Sequence, residues 1–440
     1  MASRARPSPT LTTLDLRGKK GDLRRYLPAP EVVADEAATE TVRNVLDEVK
    51  NGGDAAVRAA TERFDWVRID ELRVPPDNIK ASLEQIPPEL RTALETAHDN
   101  ITDYHRTQLT PEITHVRQGI RVRELKRPVD RAGLYVPGGR APLSSSVLMT
   151  AVPARVAGVA QLAMCSPPGA DGLPAKAVLA AAAIAGVDEV YRIGGAQAVA
   201  AMAYGTESVP AVDVIVGPGN RYVAIAERMV AGEGAVGVPS AFTGPSEVAV
   251  VADDSTDPTF AAIDLILQAE HGPDGLAYLI TWSAQAATQI EKEVARLTAA
   301  SPRRKEIEAT LRRGGFAVLV DDPEQAMQVA NALAPEHLEI MSSDPERLVP
   351  KVRAAGAVFL GPWTPASLGD YAAGPNHVLP TARSARFGGA LGVADFLRPI
   401  HVVEVDRDGL EQLAPVVEAI ATSEGLAAHA DSVRLRLRNK

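Results

Sequence analysis

The sequence predicts an α/β protein with parallel sheets, on three observations. Between residues 120 and 237 short apolar runs alternate with helical stretches, and the alternation resumes between 248 and 360. Glycine-bearing turns follow several runs of the first series and precede its helices. Strands alternating with helices at this spacing need crossovers, which makes neighbouring strands parallel and the crossovers right-handed.

Taken in order, residues 1–30 are polar, basic and proline-spotted, and read as an arm rather than a core element. From 31 to about 106 the pattern is mainly helical. Helices are expected over 38–49 (apolar at Val42, Val45, Leu46 and Val49), over 55–64 and around 86–109, with a break at Pro75-Pro76. The first α/β series reads as strands at 133–136, 161–165, 189–193 and 212–216, with helices at 146–156, 175–185, 197–203 and 222–231. A linker, PSAFTGPS (239–246), leads to the second series. Its strands are expected at 248–251, 277–281, 316–320 and 357–360, and its helices at 259–269, 284–297, 323–333 and 345–354. After Leu379-Pro380 the pattern loosens and ends in a charged helical segment, 410–437.

Composition removes several classes. The 440 residues suffice for two to four domains. Lys and Arg number 46 against 56 Asp and Glu, so the net charge of −10 argues against a nucleic-acid partner. The apolar runs, such as VLAAAAIAGV (178–187), are too short to span a bilayer. The opening Met-Ala-Ser-Arg-Ala-Arg-Pro has no apolar stretch behind it, so neither a secretory signal nor a membrane partner is expected. A single cysteine, Cys165, excludes an internal disulfide and a cysteine zinc cage, and points to a reducing cytoplasm. It lies in an apolar run without a basic neighbour and reads as a buried, inert thiol.

The string GEGAVG (232–237) has dinucleotide-fingerprint spacing, but a helical pattern precedes it and Val238-Pro239 follows. The fingerprint needs a strand before it and a helix after it. Better candidates are YVPGG (135–139), GGAQ (194–197) and GPGN (217–220), each between an apolar run and a helix. Open α/β sheets bind ligands at strand carboxyl ends, and helix N-termini favour anions. One such turn is equally well a tight connection; three of a kind favour a shared binding edge.

Gln268 and His271 lie three residues apart on one helix face and could hold a metal, unless His271 only offsets the helix dipole. Glu336 and His337 are an adjacent carboxylate and imidazole beside apolar residues, suited to acid–base work or to a surface turn. The loop 367–381 carries Asp370 and His377, either functional or capping. Glu424 and His429 read, on their own, as parts of an exposed polar helix. His98, His105 and His115 read as surface residues, and His401 as structural.

Together these stretches resemble histidinol dehydrogenases. The likeness spans about residues 27–436 and rests on GLYVPGG (133–139), IGGAQAVAAMAYGTES (193–208), VGPGN (216–220), GPSEVAVVAD (244–253), QAEHG (268–272), APEHLEI (334–340), SLGDYAAGPNHVLPT (367–381) and SEGLAAH (423–429), in family order. The resemblance implies an intertwined homodimer of subunits with two incomplete Rossmann-like parallel-sheet domains and small N- and C-terminal segments. It implies a partition into an arm (1–30), a discontinuous first domain with the zinc and acid–base residues (31–130 plus 240–380), a second domain with the NAD-contacting turns (131–239), and a segment reaching the partner (381–440).

It further implies oxidation of L-histidinol to L-histidine through L-histidinal, with two NAD+ and two hydride transfers. One zinc per subunit would be held by Gln268, His271 and Asp370 with His429 of the partner subunit, and would position the substrate. Ser246, Glu336, His337 and Glu424 would join these ligands in contacting substrate. Tyr135, Gln197 and Asn220 match NAD-contacting positions. His337 would accept protons, Glu336 would activate water, and His377 would orient the site or brace its loop. Two other readings of the residues are a zinc hydrolase that never uses NAD and a non-enzymatic binder of small molecules.

Overall fold

The computed structural model describes residues 11–28, 36–138, 142–240, 244, 246–270, 272 and 274–438. Within the expected arm lies a strand, β1 (Thr12–Asp15), flanked by Leu11 and Leu16, both buried. The two expected first helices merge as α1 (Glu36–Asp65), with a kink at Gly53. There φ is 53° and a Cβ would meet the Glu207 carboxylate at 2.3 Å, so only glycine serves. Prolines at the first turn start α2 (Pro76–Ala81) and α3 (Pro88–Arg106). Next come β2 (Ile113–Arg117), β3 (Ile120–Pro128) and β4 (Arg131–Tyr135).

The first α/β series then runs α4 (Ser144–Ala157), β5 (Gln161–Cys165), α5 (Lys176–Ile184), β6 (Glu189–Tyr191), α6 (Gly195–Tyr204), β7 (Val214–Val216) and α7 (Arg221–Gly232). The second runs β8 (Glu247–Ala252), α8 (Pro258–Ala269), β9 (Leu276–Thr281), α9 (Ala284–Ala300), α10 (Arg304–Gly314), β10 (Gly315–Leu319), α11 (Pro323–Leu333), β11 (His337–Met341), β12 (Ala357–Leu360) and α12 (Ala366–Tyr371). The chain closes with β13 (Leu397–Val405), α13 (Arg407–Ser423) and α14 (Ala427–Arg438). The expected helix at 345–354 is only a 3-10 turn, Val349–Lys351, because Pro350 has no N–H for a longer ladder.

The strands form two parallel sheets, as expected, and one antiparallel sheet. The six-stranded parallel sheet has the order β1-β10-β9-β8-β11-β12, and the four-stranded one β6-β5-β4-β7. The third sheet, β13-β3-β2, is antiparallel. Residues 36–106 supply helices to both faces of the four-stranded sheet. Val42, Val45 and Val57 of α1 pack with Val199 and Ile215 on one face of the four-stranded sheet. Leu94 and Ile101 of α3 pack with Leu134 and Met164 on the other. These helices cover the sheet formed within residues 131–239, which needs both faces buried. His105, expected at the surface, is buried at the end of α3, with Nδ1 2.8 Å from the Ile101 carbonyl. No described helix is long and apolar enough to cross a membrane.

Candidate active site

The three glycine turns meet. Tyr135 ends β4, Gln197 lies in the first turn of α6 after β6, and Asn220 precedes α7 after β7. With residues 137–138 and 166–169 they line a cleft of about 820 Å³ at the carboxyl ends of the four-stranded sheet. Gly217 allows β7 to leave tight against β4, since a Cβ there would lie 2.1 Å from the Tyr135 carbonyl oxygen. The Tyr135 hydroxyl accepts the Gly195 N–H at 3.1 Å. Asn220 Oδ1 caps α7 by accepting the N–H groups of Tyr222 (3.0 Å) and Val223 (3.2 Å). Gln197 is buried and donates through Nε2 to Asp65 Oδ2 at 3.3 Å. Burial pushes the Asp65 carboxyl up to about 6. Gly139, the last residue of the first turn's motif, lies outside the described residues. The GEGAVG string is the end of α7 and the turn after it, away from any strand-to-helix crossover.

A second group forms where the six-stranded sheet begins β8 and β11. Glu336 and His337 are both buried, against the alternative of a surface pair in a turn. They stand at the amino end of β11, not at a strand carboxyl end, and β11 itself was absent from the expected strands. His337 Nδ1 donates to the Glu247 carbonyl at 3.1 Å; a carbonyl only accepts, so Nδ1 keeps its proton and Nε2 is the nitrogen left to gain or lose one. Nε2 faces Asp370 Oδ1 at 3.3 Å, and the ring stacks on Phe359 at 5.9 Å. Burial alone would depress the imidazole, but the carboxylates of Glu336 and Asp370 outweigh it and hold His337 well above its usual range. Glu336 Oε2 accepts the Glu247 N–H at 2.9 Å, so one peptide unit on each side of Glu247 fixes each member of the pair. The Glu247 side chain is buried and, by burial and the neighbouring Glu336 charge, pushed up to about 8.

Asp370, on the single turn and a half of α12, ties this group to the helices of the four-stranded sheet. Its carbonyl accepts His377 Nδ1–H at 2.8 Å, and His377 Nε2 meets Ser146 Oγ of α4 at 3.2 Å. Burial lowers the His377 imidazole, so it stays neutral between them. Asn376 Nδ2 donates to the Met149 carbonyl of α4 at 2.6 Å. The helix that leaves the cleft thus touches the loop that carries Asp370.

Among the expected metal ligands, Gln268 is 1% exposed in the last turn of α8, and its Oε1 has no hydrogen-bond partner among the described residues. A buried amide oxygen without a donor is costly unless something positive meets it. Partial burial and the charges of Asp370 and of Glu270, which follows α8, raise the Tyr371 hydroxyl. His271 lies outside the described residues. Ser246 is half-buried and directly precedes β8. Glu424 and His429 are exposed around the turn between α13 and α14. Within the described residues of one chain, no three His, Cys, Asp or Glu side chains gather at metal-binding separation. Amide, carboxylate and imidazole donors do fit zinc, and the orphaned Gln268 oxygen is the observation that supports such a site. Sequence reading did not single out Asp65, Glu247, Asp264 or Glu339, all of which the structure places in or behind these two groups. An alternating polar residue two places after His337 was the only local signal for Glu339.

Comparison with known proteins places the chain in a family. A sequence model of the histidinol dehydrogenase family matches residues 30–437. The histidinol dehydrogenase of Parasynechococcus marenigrum (strain WH8102) is 47% identical over 436 residues, covering 99% of each chain. That of Ralstonia nicotianae (strain ATCC BAA-1114 / GMI1000) is 46% identical over 441 residues, covering 98% of each. The crystal structure of histidinol dehydrogenase from Elizabethkingia anophelis superposes with a TM-score of 0.93 at 33% identity, covering 98% of this chain and 99% of that one. The chain belongs to the histidinol dehydrogenase family.

Proposed function

We propose that this protein oxidises L-histidinol to L-histidine through L-histidinal, consuming two NAD+, in the last steps of histidine biosynthesis in the cytoplasm. The observation that carries the reading is the contact chain Ser146–His377–Asp370–His337, which links the helix leaving the cleft to a buried acid–base pair. Family membership leaves the hydrolase and the non-enzymatic binder without support.

Tyr135, Gln197 and Asn220 would line the site of NAD+, which supplies the hydride acceptor for each oxidation. Gln268, His271 and Asp370, with the partner subunit's His429, would hold zinc, whose part is to position the substrate through its imidazole and amine. His337 Nε2 accepts the hydroxyl proton as the alcohol becomes an aldehyde. Glu336 takes a proton from the water that adds to the aldehyde, His337 returns its own proton to the oxygen left charged, and the Glu247 carbonyl holds the ring with Nε2 free for a second acceptance. Ser246 and Glu424 complete the substrate contacts. The low dielectric around the pair strengthens each of these interactions.

The places of the last ligands support a homodimer with shared sites. Glu424 and His429 are exposed, and α13 and α14 pack chiefly on each other. Ile113, Val116, Ile400, Val403, Ile420 and Leu426 are exposed on the antiparallel sheet and this helical pair, an apolar surface suited to a second copy. The test is a count of NADH formed from limiting histidinol at saturating NAD+. Two per substrate is expected; one would contradict the two-step reading.

A further inference from the structure

Three elements carry the candidate metal ligands and the proton acceptor: α8 bears Gln268, β11 opens on His337, and α12 bears Asp370. Two buried carboxyls lie where they meet. Asp264 is 4% exposed and stands one helical turn before Gln268, on the same face of α8. Glu339 is 0% exposed and stands two residues after His337, on the same face of the sheet. The two carboxyls face each other as hydrogen-bonding neighbours, and among the described residues no donor group reaches Glu339 Oε2. Glu339 Oε1 accepts the N–H of Ala366 at 3.1 Å, the first residue of α12 and four before Asp370.

Two facing carboxylates cannot both stay charged without water, so one proton lies between them. Such a pair is expensive where apolar side chains of similar volume would pack freely. Burial and the facing Asp264 indeed hold Glu339 well above the ordinary carboxylate range. What apolar packing would not supply is direction. Dispersion contacts tolerate small sliding, whereas hydrogen bonds fix both distance and angle. A ligand set drawn from three separate elements needs placement to within about 0.5 Å.

We propose that Asp264 and Glu339 are positioning residues: the proton they share clamps α8, β11 and α12 together and sets Gln268 and Asp370 at the separation that zinc requires. The proposal rests on the zinc reading above. Neither residue touches substrate.

The test compares variants of the full-length enzyme by zinc affinity, in competition with a chromophoric chelator, alongside thermal unfolding of the metal-free protein. Glu339→Gln keeps an acceptor for the Ala366 N–H and a donor toward Asp264. It should hold zinc within about threefold of the unaltered enzyme, the spread expected of a retained hydrogen bond. Glu339→Leu removes both bonds and should weaken zinc binding by about 10–100-fold, the usual loss for a partner of a metal ligand, and kcat should fall while the KM for NAD+ holds. If Glu339→Leu does not fold, Asp264→Ala takes its place, with at least a tenfold loss expected on the same grounds. Leucine or alanine variants that melt earlier yet bind zinc normally would overturn the proposal, because packing alone would then explain the pair. So would equal losses in Glu339→Gln and Glu339→Leu. If the unaltered enzyme takes up no zinc, the zinc reading itself fails, an outcome visible before any variant is made.

Discussion

Replacing Glu336 by glutamine should separate the two proposed oxidations. The side chain is buried, and its one strong contact is the Glu247 N–H at 2.9 Å. Glutamine keeps an acceptor there, so the fold should lose less than about 1 kcal/mol. What disappears is a proton acceptor and a negative charge 3.5 Å from His337 Nδ1. Losing the charge makes His337 a weaker base in both oxidations. Asp370 still faces Nε2 and limits that loss. Losing the acceptor bears only on the step in which water adds to the aldehyde, where a missing general base costs about 10²–10⁴-fold. The common loss cancels in the ratio of the two rates. Stopped-flow appearance of NADH, starting once from histidinol and once from histidinal, measures that ratio. The aldehyde oxidation should fall at least about 10²-fold further than the alcohol oxidation. Equal slowing would remove Glu336 from the activation of water.

Two further outcomes follow from buried groups. Asp65 is raised by burial to about 6 from an ordinary value of 3.8, so the folded state holds its proton more tightly than the unfolded chain. The group therefore costs stability above about pH 6 and nothing below about pH 4. Asp65→Asn, which can still accept from Gln197, should stabilise the protein by about 1–2 kcal/mol at pH 8 after allowance for solvent screening. It should leave the melting temperature at pH 4 unchanged; an equal gain at both pH values would contradict the burial argument. Cys165 is buried and pushed up to about 12, so the native protein at pH 8 should not react with a thiol-disulfide reagent. Denaturant should release one reactive thiol per chain, and reaction without it would show the strand to be open.

Much of the architecture could be read from the chain, for reasons visible in particular residues. The strands at 161–165 and 357–360 coincide with β5 and β12 because each is an apolar run between breaks. The helix at 323–333 coincides with α11 because Asp322 caps it and Pro323 opens it. By contrast β11 is invisible as a strand, since His337 and Glu339 interrupt the apolar pattern on one face. The strands β2, β3 and β13 are hidden by exposed charged and apolar residues on both faces, a surface unlike a half-buried sheet. The site divides the same way. Gln268, Glu336 and His337 stand out by residue type and neighbours. The contact of His337 with Asp370 spans 33 residues, so no local pattern carries it. Glu247, Asp264 and Asp65 are lone acids in ordinary elements, and only their burial marks them.

The central claim is that ligands from two chains complete one metal site. It is tested most directly by mixing a His429→Ala chain with an Asp370→Ala chain, each inactive as its own dimer, after subunit exchange. A mixed dimer rebuilds one of its two sites, because the chain that keeps Asp370 receives the partner subunit's His429. With random pairing, about a quarter of full activity should return. No recovery, in a mixture shown to contain mixed dimers, would mean that each site is built within a single chain.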